Sequence, residues 1–96
     1  MSNEYVGPMV YVVFGETGEY SDRSEWPVAA YSTGEMAEAR ADSLAAKYRE
    51  LTENGTIITD YDQREAIETA MRIYDPEFRL DYTGTHWYVL SVPLVA

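Results

Sequence analysis

The sequence predicts an α+β fold: a small two-layer sandwich in the order β-β-α-α-β-β, with one antiparallel sheet and two helices on one face. Three observations lead there. Two β-branched and aromatic runs, "MVYVVF" (9–14) and "WPVAAY" (26–31), stand at the start. Two segments with helical spacing of apolar residues fill the middle. A further pair of β-like runs, "FRLDY" and "HWYVLSVPL", flanks Thr83-Gly84 near the end.

The first run is short and continuous enough for a buried strand. Gly7-Pro8 breaks the chain ahead of it, so residues 1–8 read as a flexible extension and residues 9–96 as the single α+β domain. Pro27 donates no ladder bond, which puts it at a strand start or on an edge. "GETGEYSDRSE" between the runs reads as an ordered loop joining neighbouring antiparallel strands, with Gly15 and Gly18 supplying backbone freedom where the chain leaves the first strand.

"STGE" carries a capping-box pattern, Ser32 with Glu35 three residues on. Ala37, Ala41, Leu44, Tyr48 and Leu51 then mark one helix face, and Asn54-Gly55 ends it. Thr59 or Asp60 caps the second helix, whose inner face carries Ile67, Ala70, Met71 and Tyr74 before Asp75-Pro76 stops it. In the last run Tyr88, Leu90, Val92 and Leu94 alternate on one face, and Trp87 and Val89 point the other way.

Composition narrows function. Seventeen acids against seven bases give a net charge of −10. Phosphate-tracking surfaces and anionic lipid both call for clustered Lys and Arg, so neither direct nucleic-acid binding nor membrane docking is expected. The acid serves solubility or faces a partner with a basic surface. With no cysteine, disulfides and thiolate chemistry are excluded. No run approaches a membrane span and the start resembles no signal peptide, so a cytoplasmic location is expected.

The candidate sites each have a plainer reading. His86, the single histidine, suits a general base or one metal ligand, but a half-exposed His at a strand start is ordinary. "DYDQRE" lacks the third ligand, glycine and terminal Glu of a calcium loop, and reads better as an acidic first helical turn. "GETG" lacks the Lys and the following helix of a phosphate loop, and Glu16 and Glu19 repel phosphate. Ser21 and Asp22 have no histidine nearby in sequence and no nucleophile-elbow pattern. The expectation is therefore a non-enzyme without cofactor or metal.

"VYVVFGETGEYSDRSEWPVAAYS" and "YDPEFRLDYTGTHWYVLSVPL" together resemble a family of short uncharacterised proteins from phage and prophage genes. The resemblance covers the first two strands with their loop and the final hairpin. It implies an accessory protein acting inside a host bacterial cell. By analogy of size and charge, such proteins bind and inhibit a host protein, as anti-CRISPR and other anti-defence inhibitors do. The expected partner-binding residues are Glu16, Glu19, Tyr20, Asp22 and Arg23 on the opening loop, with Asp62, Glu65 and Glu68 as an acidic ridge on the second helix. A homodimer is compatible with this reading. The rival reading is a small-ligand or metal-binding module built from the 15–25 loop and the 83–86 turn.

Overall fold

The computed structural model describes residues 7–18, 23–52, 61–80 and 84–95. Among these the elements run β1 (Met9–Thr17), β2 (Ser24–Tyr31), α1 (Gly34–Leu51), α2 (Tyr61–Met71) and β3 (Thr85–Pro93). The three strands form one antiparallel sheet in the order β2-β1-β3. β1 is central: from Val10 to Phe14 three of its five residues are β-branched and the other two aromatic, β3 pairs along its whole length, and β2 pairs from Tyr11 to Thr17.

β1 and β2 each extend beyond the apolar runs toward their shared turn, which shortens the connection to residues 18–23. Gly18, at φ 87°, takes the left-handed conformation where β1 ends. Gly15 has a different role from the one expected of it. It lies inside β1, in a cross-strand row Trp26–Gly15–Trp87, and the Trp26 indole rests on its backbone. A Cβ at this position would meet three atoms of that indole at under 3 Å. The register slips between Val13 and Phe14, leaving Val28 as the extra residue of a bulge beside Pro27.

α1 is capped by Thr33, one residue later than expected: its hydroxyl accepts from the Met36 N–H at 3.2 Å. Ala37, Ala41, Leu44 and Tyr48 are buried along the expected face, with Leu51 half-buried at its end. The small residues let α1 lie close to the sheet, where it borders all three strands. Thr52 closes the helix through its backbone N–H and its hydroxyl, both donated to the Tyr48 carbonyl; Asn54-Gly55 and the Thr59/Asp60 cap lie outside the described residues. α2 buries Ile67 and Met71 and borders α1 rather than a strand. Tyr74 falls beyond its end in a turn, 41% exposed, with the Lys47 ammonium 5.4 Å from its ring centre.

The expected strand at "FRLDY" is corrected. Phe78 and Leu80 are buried, yet residues 78–80 form no strand. Side chains take its carbonyls: Arg72 donates to the Phe78 carbonyl at 3.3 Å, Thr85 to that of Arg79 at 2.7 Å, and Arg64 to that of Leu80 at 2.8 Å, while the Phe78 N–H turns back to the Asp75 carbonyl at 2.9 Å. The order among the described residues is thus β-β-α-α-β.

Asp75 organises the core. Its carboxylate is fully buried and one oxygen, Oδ2, accepts the indole N–H of Trp26 at 2.8 Å and of Trp87 at 3.0 Å. The two indoles come from opposite outer strands and converge above Gly15, where no side chain intervenes. Phe78 packs edge-on to Trp26 and stacked on Trp87, with Tyr48 completing the aromatic group.

Candidate functional site

A three-stranded sheet has two faces, and α1 covers one. The alternation expected for the last strand is present, but the covered face is that of Trp87 and Val89, which pack against the core. The longer apolar stripe, Tyr88, Leu90 and Val92, lies on the other face opposite Phe14, Val12 and Val10 of β1. Leu90 is 46% exposed and Val92 39%. Phe14 and Tyr88 stack with ring centres 5.6 Å apart, giving this open face an aromatic centre.

Its charged end is built where β1 approaches the turn. Glu16 stands directly opposite Glu25 of β2 and His86 of β3. Two carboxylates side by side in a sheet repel. Arg23, just before β2, resolves this by donating from Nη2 to Glu16 at 2.7 Å and to Glu25. The hydrogen bond from Arg23 is the main reason Glu16 titrates below the usual carboxylate range; burial opposes it. His86 Nε2 is 3.5 Å from the other Glu16 oxygen, on a largely exposed side chain. Burial, followed by the nearby acids Glu25 and Glu16, pushes the Tyr88 phenol up.

The expected site residues therefore divide. Glu16 and Arg23 meet, joined by Glu25 and His86. Glu19, Tyr20 and Asp22 lie outside the described residues. Asp62 and Glu65 are exposed on α2, on the helical side of the sheet, so they do not share a surface with Glu16 and Arg23. Glu68 carries a counterion that the sequence reading left out of the ridge: Arg72 bonds it at 3.0 Å. Arg64, next in sequence to Glu65, reaches the Leu80 carbonyl at 2.8 Å. The start of the 15–25 loop and the 83–86 turn do adjoin, with Thr17 opposite Thr85 and the Thr17 hydroxyl donating to the Gly84 carbonyl at 2.7 Å. Among the described residues no three His, Asp or Glu side chains are grouped to hold a metal. A cleft of about 280 Å³ lies elsewhere, between Arg40, Ser43, Lys47 and Glu50 of α1 and Tyr74.

Sequence reasoning missed Phe14, Glu25, Tyr88 and Leu90 as site residues. For Tyr88 and Leu90 the signal was present in the alternation of the last strand, but alternation does not say which face a helix will cover; Phe14 and Glu25 join the site through the strand register.

No family model, curated protein or solved structure matches this chain. No described helix is long and apolar enough to cross a membrane.

Proposed function

We propose that this protein is a non-enzymatic accessory protein of phage type that binds and modulates or inhibits a protein of a bacterial host, and that the open face of its sheet is the binding surface. One observation carries the reading: an apolar face that no described helix covers, with a stacked Phe14–Tyr88 pair at its centre and an acidic and arginine-bearing end. Aromatic residues and Arg at the centre with polar groups at the rim are the composition of protein interfaces. The Glu16–Arg23–Glu25 group supports the partner-binding role assigned to the opening loop, and the chain's charge of −10 favours a basic partner.

The test is affinity capture from a bacterial host with three proteins: the parent, Leu90→Lys on the open face, and a triple reversal of Asp62, Glu65 and Glu68 to Lys. A stoichiometric partner lost with Leu90→Lys and retained by the triple variant supports the open face. The reverse pattern moves the interface to α2. Equal capture by all three removes both surfaces from the reading.

A further inference from the structure

The outer edge of β3 has a feature independent of the open face. Leu94 donates its N–H to the Pro8 carbonyl at 3.0 Å, continuing the register in which Met9 faces Pro93. In an antiparallel ladder, mutually bonded pairs alternate with unbonded ones. The even-numbered residues of β3 therefore spend their backbone groups on β1, and Thr85, Trp87, Val89, Ser91 and Pro93 turn theirs outward. Thr85 confirms the parity, because its N–H goes to the Tyr48 hydroxyl at 3.3 Å rather than to β1. The outward row is thus closed at both ends: the Thr85 donor is taken, and Pro93 has none. Trp87, Val89 and Ser91 remain between them, and among the described residues no strand pairs with this edge.

Edge strands normally carry devices against pairing with another chain. β2 has three of them in Glu25, Pro27 and the bulge at Val28. β3 has no Asp, Glu, Lys or Arg from Thr85 to Pro93 and no bulge against β1.

We propose that β3 pairs antiparallel with β3 of a second copy of this chain, across a two-fold axis at Val89, joining two three-stranded sheets into one. The spacing is self-complementary. Trp87 faces Ser91 of the second copy, Val89 faces its equivalent, and each pair exchanges both backbone hydrogen bonds. Thr85, its donor already used, falls opposite Pro93, which has no donor. On the open face Tyr88 of each copy meets Leu90 of the other at an unbonded pair, where side chains approach more closely, and exposed Leu90 is covered. Charge favours this strand over other surfaces: two chains of net charge −10 repel, and β3 brings no formal charge of its own to the seam. The open face becomes continuous across both sheets. A host protein can cover the face of one sheet alone, so the partner-binding reading does not depend on the dimer.

The experiment is sedimentation velocity from about 1 µM to about 1 mM protein, with backbone amide hydrogen exchange followed at both extremes. The expected result is a dimer that tightens with added salt, as like charges are screened, in contrast to the loss of a basic partner under the same change. The amides of Trp87, Val89 and Ser91 become protected only in the dimer; those of Tyr88, Leu90 and Val92 are protected at every concentration. Ser91→Pro removes an outward donor without breaking a bond to β1, so it weakens the dimer about tenfold or more. A monomer throughout overturns the proposal and leaves the edge for an extended peptide. A dimer indifferent to Ser91→Pro, or one without the alternating protection at 87, 89 and 91, overturns it in favour of face-to-face association. Should Ser91→Pro not fold, the exchange pattern of the parent decides alone.

Discussion

Replacing Asp75 by alanine removes the acceptor that two indoles share. Trp26 is 4% exposed and Trp87 half-buried, and each donates its indole N–H to the same Oδ2. A buried donor left unmade costs about 1–3 kcal/mol, so the pair costs about 2–6 kcal/mol, with Trp87 toward the low end because water reaches it more readily. A domain of this length holds about 5–14 kcal/mol in all. For a domain of this size about 2 kcal/mol already lowers the Tm by about 8 °C or more. Thermal melting followed by near-ultraviolet circular dichroism reads both the midpoint and the environment of the indoles. A cycle isolates the cause. With Trp26→Phe and Trp87→Phe already in place, the carboxylate itself is the unpaired buried group, and Asp75→Ala becomes neutral or stabilising. An Asp75→Ala protein melting within about 2 °C of the parent, or one equally destabilised with and without the indoles, would refute the shared-acceptor account.

Three further outcomes are expected. Gly15→Ala forces a methyl into the Trp26 indole, which cannot retreat without leaving Asp75, and costs about 1–3 kcal/mol or more by chemical denaturation; a wild-type midpoint would mean the indole is free to move. Leu44→Ala, at a 2% exposed position beneath the sheet, costs about 2–5 kcal/mol in the same assay, and a change under about 1 kcal/mol would displace it from the core. Glu16 has a depressed folded pKa, so its ion pair contributes fully above the ordinary carboxylate value and the contribution is lost as pH falls through the lower folded value. Arg23→Ala moves that midpoint up toward the ordinary value in a carbon-detected NMR titration of the side-chain carboxyl, and an unmoved midpoint assigns the shift to another group.

The two faces of the last strand differ in how far the sequence determines them. Period-two alternation assigned Trp87 and Val89 to one face and Tyr88, Leu90 and Val92 to the other, as the register has them. Alternation is a property of the backbone and needs no tertiary knowledge. The choice of covered face is different. It depends on Asp75, 12 residues before Trp87 and 49 after Trp26, whose carboxylate draws both indoles inward. In the sequence Asp75-Pro76 carried only the meaning of a helix stop.

Local chemistry by itself determined the two opening strands, the buried face of α1 from Ala37 to Tyr48, the Ile67 and Met71 contacts of α2, and the acidic charge that argues against phosphate surfaces. Each rests on periodicity, capping or composition within a short window. Tertiary structure alone decided the rest. Residues 78–80 carry the alternation of a strand, but arginine and threonine side chains from α2, the turn after it and β3 take their carbonyls. Gly15 resembles loop glycine until Trp26 is seen lying on it. Glu16 and Arg23, seven residues apart in the chain, meet because the β1–β2 register sets Glu16 opposite Glu25 and leaves one guanidinium to bridge two carboxylates that would otherwise repel.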